Sequence, residues 1–330
     1  MNRHLYNIKR YFSFKRMINI IKIYVSFYFS LILRKPIVWG YPLVIMIEPT
    51  NICNLSCPLC YTVIKRTKNE KGYMDFEIYK KIIDEIAPYS TCIQLIGQGE
   101  SFLHEDIIKM ITYAAEKKLY IYIATNGNVS INENELVKSG LSTLAFSVDG
   151  VTQETYCQYR VNGYLDNVLT FMKNIIEVKK QTKNYIPKII WDFLLFKHNE
   201  HEIEMVKKMA DLYEVNELRI KPIVIRTKDQ INTLLPIDQR YRRYEDIDTE
   251  LKMKKKINNR CKAIWKAIAV NWNGEMKVCC KDIDVKTKIG SVTEKSIHEI
   301  WKSVSFMNFR KNILKNKRQF DMCNNCFAKD

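Results

Sequence analysis

The sequence has no run of roughly 18 uncharged apolar residues, the length a standard membrane span requires. It has no small-residue cleavage site after its first apolar stretch, Ile23–Leu33, which runs directly into Arg34-Lys35-Pro36. That argues against a secretory signal. No internal repeat and no low-complexity tract is found. The ten cysteines are not spread as a secreted disulfide framework would be; most fall into two clusters, which reads as metal binding in a reducing cytosol. A hydrophobic share of 47% excludes a disordered chain. The 330 residues suggest about two domains at ~150 residues each.

Acidic residues are also missing at the start: the first is Glu48, and eight Lys or Arg precede it, from Arg3 and Lys9 to Arg34 and Lys35. Over the whole chain 53 Lys and Arg face 36 Asp and Glu, a formal charge of +17. Such an excess favours anionic partners: a membrane surface, nucleic acid or an acidic ligand. Within residues 1–40, Lys15, Asn19, Lys22, Ser26, Ser30 and Arg34 recur at helical spacing as one polar stripe. Ile18, Ile21, Val25, Tyr28 and Ile32 line another face. This basic amphipathic helix is expected either to touch anionic lipid through residues 1–35, at the inner face of the membrane, or to pack on its own domain with its cations in water.

From Leu43 onward, strand-like and helix-like periods alternate. The apolar runs are Leu43–Glu48, Thr91–Ile96, Tyr120–Thr125, Thr143–Val148, Lys188–Phe196 and Val215–Lys221. Between them lie Asp75–Ala87, Asp106–Lys118, Asn132–Lys138, Leu165–Lys180 and Glu200–Leu212. This alternation predicts a parallel α/β sheet with strands buried on both faces. An open doubly wound sheet and a partial barrel both satisfy it. After Pro222 the pattern breaks into a charged connector, 223–260, with a basic run at Lys252, Lys254, Lys255 and Lys256 read as a solvated helix face. Residues 261–330 hold five cysteines and are expected to need a metal cluster for stability.

Cys53, Cys57 and Cys60 follow the first strand with Cys-x3-Cys-x2-Cys spacing. Sites in parallel α/β folds are built from loops at the carboxyl ends of strands. Three thiolates on one loop suit three corners of an iron-sulfur cube and leave one iron open to an outside ligand. The alternative is a zinc knuckle with a fourth ligand such as His104.

The segment Cys53-Asn54-Leu55-Ser56-Cys57-Pro58-Leu59-Cys60 resembles the signature of the radical S-adenosylmethionine superfamily. Further family-like motifs follow at later strand ends: Gly97-Gln98-Gly99-Glu100, Thr125-Asn126-Gly127, Ser147-Val148-Asp149-Gly150, and Arg160 with Gly163. The likeness covers about residues 43–222 and implies a core domain, 41–222, built as a partial (β/α)6 barrel of parallel strands. It implies that Gly99 and Glu100 meet the methionine end of S-adenosylmethionine, Glu100 taking the ammonium group and Arg160 pairing with the carboxylate. Asn126, Ser147 and Asp149 would then serve the ribose hydroxyls. The bland readings are turns for Asn126-Gly127 and Asp149-Gly150 and a surface ion pair for Arg160. The sequence departs from the family at Leu59, where an aromatic residue is common near the adenine, and at Gln98 and Ser101.

In the last seventy residues, Cys261, Cys279, Cys280, Cys323 and Cys326 form the second cluster. Asn273-Gly274 predicts a β-hairpin turn that delivers Cys279. The pattern, with Ile289-Gly290-Ser291-Val292 and Ile297-His298-Glu299-Ile300-Trp301, resembles the auxiliary-cluster region called SPASM or its shortened twitch form. That resemblance implies one auxiliary 4Fe-4S cluster held by Cys261, Cys279, Cys323 and Cys326, against structural zinc as the alternative. Cys92 and Cys157 read as ordinary buried thiols.

The resemblance implies an oxidoreductase with S-adenosylmethionine and two 4Fe-4S clusters, one binding S-adenosylmethionine and one auxiliary, reduced by a flavodoxin or ferredoxin. The expected reaction is hydrogen abstraction and a two-electron oxidation of a small polyol or amino sugar in the cytoplasm. A ribosomal peptide or protein side chain is the competing substrate. A zinc-containing nucleic-acid binding protein is the competing class, which the charge permits.

Overall fold

In the computed structural model, residues 10–64, 70–245, 252–255, 257–282 and 286–326 are described. Arg3, Lys9 and Lys256 of the basic tracts lie outside the described residues. Nine strands occur among them: β1 Val44–Ile47, β2 Cys92–Leu95, β3 Tyr120–Thr125, β4 Thr143–Ser147, β5 Lys188–Leu195, β6 Glu217–Pro222, β7 Ala267–Val270, β8 Glu275–Lys277 and β9 Lys288–Ser291. The first six fall inside the six apolar runs expected from periodicity, save that β6 ends one residue late at Pro222. The helices between them, Phe76–Ile86, Ile107–Glu116, Glu133–Lys138, Leu165–Gln181 and Ile203–Leu212, match the expected segments as well. Asp75 and Asn132 cap two of them through side-chain oxygens that accept backbone N–H groups.

The chain divides into two units. One comprises Met1–Ile52, Glu70–Tyr122 and Ile257–Asp330; the other comprises Cys53–Asn69 and Ile123–Lys256.

In the first unit, β1 pairs in parallel with β2 on one side and with β7 on the other, Val44 standing opposite both Cys92 and Ala267. The turn at Asn273-Gly274 forms as expected, and Gly274 sits at φ +85°, a conformation glycine adopts without strain. It makes β8 antiparallel to β7, and β9 then pairs with β8. Residues 261–330 thus supply strands to the sheet that holds β1. Periodicity did not reveal this, because Ala-Ile-Ala-Val is too short a run to declare its partner. Two buried tryptophans lock this region to the early chain: Trp265 Nε1 donates to Ile37 O at 3.0 Å and Trp301 Nε1 to Gly40 O at 2.9 Å. Glu85 accepts the N–H groups of Ile297 and His298 at the start of the helix Ile297–Trp301.

The helix Phe14–Leu33 also belongs to this unit and stops where Arg34 turns left-handed at φ 51°. Its length and composition suit a bilayer-crossing helix, and 33% of its apolar window is buried in the protein. The polar stripe read from the sequence splits here. Asn19, Ser26 and Ser30 are buried, while Lys15, Lys22 and Arg34 are exposed.

In the second unit, β5 lies between β4 and β6 with parallel pairing on both sides. Ile189, Trp191, Phe193 and Leu195 are buried, as are Ile190 and Asp192 on the opposite face. Burial of both faces accounts for the nearly continuous apolar run. The stretch expected to be a connector carries a core of its own, in which Ile223, Ile225, Ile231, Leu235 and Tyr244 pack on Phe196. Within its basic run, Lys252 pairs with Glu245 at 2.7 Å and Lys254 donates to Gln239 O.

Candidate functional site

The early cysteine loop is braced at several points within the second unit. Ser56 N donates to Val161 O and Cys60 N to Cys57 O, both at 3.0 Å; Cys60 O then starts the short helix Tyr61–Ile64. The Asn126 amide donates to Asn54 Oδ1 at 2.8 Å and lies 3.8 Å from Cys53 Sγ. Its oxygen accepts from Asn128 N at 2.8 Å. The bland turn reading therefore holds at Asn126, and the same side chain also reaches the loop.

Arg160 is not a surface residue. Its Nε donates to Asp149 Oδ2 at 2.6 Å, and its Nη1 lies 3.9 Å from Cys57 Sγ. Burial works against the guanidinium charge, yet Asp149 and Cys57 outweigh it and raise its pKa above the usual arginine range. Burial pushes the Cys57 thiol up, and Arg160 opposes that shift. Asp149 is fully buried; its second oxygen accepts from Leu194 N at 2.7 Å. Those bonds make Asp149 the residue that orients Arg160. Ser147, at the end of β4, stands opposite Asp192.

Leu59 turns into the hydrophobic core around Phe196. Its carbonyl accepts from Arg226 Nη2 at 2.8 Å, and the Arg226 guanidinium lies 3.5 Å from the Tyr61 ring centroid. Neither partner was singled out from sequence, because Arg226 sits in the charged connector with no motif around it. Asp192 carries no motif either, since it lies inside the apolar run of β5. It shares a sheet face with Ser147 and Arg219, is bound by Lys221, and its Oδ1 is buried without a hydrogen-bond partner among the described residues.

In the first unit, Gly99 meets its own backbone. A Cβ there would lie 2.4 Å from Thr50 O and 2.5 Å from Ile52 O. Glu100 N donates to Ile52 O at 2.8 Å, and Glu100 Oε1 accepts from Phe102 N at 3.3 Å. Gln98, where the family has glycine, donates its N–H to the buried Glu48 carboxylate at 2.7 Å. Burial pushes the Glu48 carboxyl up while Lys277 opposes. His104 Nδ1 accepts from Asp106 N and its Nε2 faces Met74 O at 2.8 Å, so it is a satisfied core histidine rather than a zinc ligand.

The late cysteines also gather in the first unit. Cys261 and Cys323 are buried, Cys279 and Cys326 half-buried, and Cys280 exposed. Burial raises the Cys261 pKa, while Lys317 and the N–H groups of Ile264 and Ala263 lower it; Cys326 lies close enough to raise it. Burial pushes the Cys323 thiol up to about 12, opposed by Lys317, with Cys261 and Cys326 adding to the rise. The Cys279 thiol is pushed up first by its hydrogen bond with Cys280 and by burial, with Cys261 adding a smaller share, and it accepts from Lys281 N at 3.5 Å. Cys261, Cys323 and Cys326 therefore interact with one another and Cys279 with Cys261, beside N–H donors and the buried cation Lys317, surroundings that suit iron-bound thiolates. Lys317 was not foreseen. Four cysteine thiols with neighbouring N–H donors fit the ligand set of a 4Fe-4S cluster. Cys92 and Cys157 are half-buried rather than buried, and burial takes the Cys92 thiol to about 12. All ten cysteines are free thiols.

A family model described as the Radical SAM superfamily matches residues 47–212, and one described as an iron-sulfur cluster-binding domain, SPASM, matches residues 261–327. The chain is 23% identical over 318 residues to the tungsten-containing aldehyde ferredoxin oxidoreductase cofactor-modifying protein of Pyrococcus furiosus, covering 86% of this chain and 87% of that one. It is 24% identical over 313 residues to the antilisterial bacteriocin subtilosin biosynthesis protein AlbA of Bacillus subtilis, covering 87% of this chain and 68% of that one. Other relatives are matched across only 34% and 47% of their own length. Among solved structures, BtrN in complex with AdoMet and 2-DOIA aligns with a TM-score of 0.57 at 18% identity, covering 88% of this chain and 94% of that chain. That likeness is one of fold: a mostly parallel α/β sheet with an added C-terminal region.

Proposed function

The chain belongs to the radical S-adenosylmethionine superfamily, and on that premise we propose that it oxidises a small polyol or amino sugar by two electrons. Its cofactors are S-adenosylmethionine, a 4Fe-4S cluster that binds it, and auxiliary iron-sulfur in the SPASM region. When bound, these groups supply one-electron reduction and a carbon radical that removes a hydrogen atom from the substrate.

The chain's own residues hold and aim. Cys53, Cys57 and Cys60 hold the first cluster, and Asn126 and Arg160 place N–H groups near two of their sulfurs. Arg160, aligned by Asp149, pairs with the methionine carboxylate. Glu100 accepts the ammonium group beside Gly99, and Ser147 and Asn126 serve the ribose. Cys261, Cys279, Cys323 and Cys326 would hold one auxiliary cluster, which would supply a one-electron acceptor. The free thiols suit a reducing cytoplasm with a flavodoxin or ferredoxin as donor.

The observation that carries the substrate class is the polar row Ser147, Asp192 and Arg219 across β4, β5 and β6. A buried carboxylate with an unpartnered oxygen suits a hydroxyl or ammonium donor on a small polar molecule. A peptide side chain is the second reading, favoured by the long alignment with AlbA.

Anaerobically reconstituted protein should hold about eight irons per chain and form 5′-deoxyadenosine on reduction. Deuterated polyols and deuterated peptides offered in parallel separate the two substrates by which label enters 5′-deoxyadenosine. Iron-loaded, reduced protein that forms none would end the proposal.

A further inference from the structure

The helix Phe14–Leu33 is inverted relative to an ordinary surface helix. Arg16, only 5% exposed, sends its guanidinium to Ala87 O and Lys117 O at 2.8 Å each. The Asn19 amide donates to Tyr41 O and Tyr89 O, and its oxygen accepts from Tyr41 N. Ser30 Oγ exchanges hydrogen bonds with Ile37. The inward side, which also buries Ile23 and Phe27, is thus tied to the body of its unit through most of the helix's polar residues, and the opposite side faces outward. Phe14, Ile18, Ile21, Val25, Tyr28 and Ile32 follow one another at three- and four-residue spacing along that side, with Phe14 64% and Ile32 75% exposed. Phe12, Phe29, Leu33 and Trp39 extend the patch. Monomeric proteins rarely leave so long an apolar stripe uncovered.

Charge identifies what covers it. Lys15 and Lys22 are exposed roughly a quarter turn from the middle of the stripe, and Arg34 and Lys35 are exposed at its end. No acidic residue occurs before Glu48. An apolar face flanked along its own chain by cations and no acid, with aromatics among the aliphatic residues, matches the boundary of an anionic bilayer. We propose that this helix lies flat on an anionic lipid surface, its apolar side in the acyl boundary and its cations among the headgroups. Crossing the bilayer instead would strip Arg16 and Asn19 of their carbonyl partners and carry them into hydrocarbon, a large penalty. The inference is independent of the substrate and of the radical chemistry.

Flotation of the cluster-loaded full chain tests it, using vesicles of phosphatidylcholine with and without phosphatidylglycerol. The expected result is flotation with phosphatidylglycerol vesicles that weakens as salt rises. Ile21→Ser with Ile32→Ser should lower partitioning at least about tenfold. Lys15→Glu with Lys22→Glu leaves the apolar side intact and should lower it by roughly fivefold or more per cation. An unchanged thermal midpoint in either variant shows that the fold survives. Absence of flotation, binding indifferent to lipid charge, or a stable dimer that hides the stripe from vesicles would each overturn the proposal.

Discussion

The two cysteine sites differ in how their ligands are brought together. Cys53, Cys57 and Cys60 share one loop, held by backbone bonds to Val161 and by Asn126. Cys261, Cys279, Cys323 and Cys326 come from separate segments: the entry to the helix Ala263–Lys266, the strand end after β8, and the carboxyl-terminal turn. A cluster in the second site closes long loops of chain, whereas one in the first closes almost none. Loop closure constrains the unfolded chain in proportion to the logarithm of loop length. The early site is therefore where chemistry is exposed to loss, and the late site is where stability is.

The sharpest way to break this contrast is to delete one ligand from each. Cys57→Ala should abolish 5′-deoxyadenosine formation and reduce iron from about eight to about four per chain, while thermal unfolding barely moves. Cys323→Ala should also halve the iron but lower the unfolding midpoint by on the order of 10 °C. Equal losses of stability in the two variants would erase the distinction.

Lys317 sharpens the comparison further, since it is a buried cation beside the late thiols and the early loop has Arg160 in that place. Lys317→Met removes charge that favours the reduced cluster. The potential of the late cluster should fall by on the order of 50 mV, read by redox titration of its spectroscopic signal, with the early cluster unmoved.

The smallest effect lies away from both sites. Arg219 and then Lys188 hold Glu217 at about 2, below its ordinary 4.5. Its folded pKa is depressed, so the stabilisation is complete above 4.5 and is lost as pH falls toward about 2. Glu217 is about a third exposed, so screening limits this to a few tenths of a kcal/mol. Glu217→Gln should flatten the acid limb of stability against pH slightly, and it should leave cluster content alone.

Much of this was legible before any coordinates. Strand and helix periods placed β1 to β6 and the intervening helices to within a few residues, because burial on two faces leaves a run of apolar residues that no loop imitates. The early cysteine loop was legible because Cys53, Cys57 and Cys60 fall within eight residues. Less legible were residues whose role depends on partners far along the chain. That Asp149 orients Arg160 is one such case, since the two meet only through the fold. Asp192, Arg226 and Lys317 carry no local signal at all. The first helix is the plainest case: its stripes were visible, but not which one turns inward.

The amino-acid order by itself determined the alternation of strands and helices, the early cysteine loop and the family to which the chain belongs. Those features depend on neighbours within a few residues or on the period of burial. Tertiary structure alone decided that β7 lies beside β1, that Cys261 meets Cys323 and Cys326, and that Arg16 and Asn19 are buried while Ile21 and Ile32 are not. In each of these, free energy comes from groups meeting across long stretches of chain, where hydrogen bonds to otherwise unpaired carbonyls outweigh the preference of a single side chain for water or for the core.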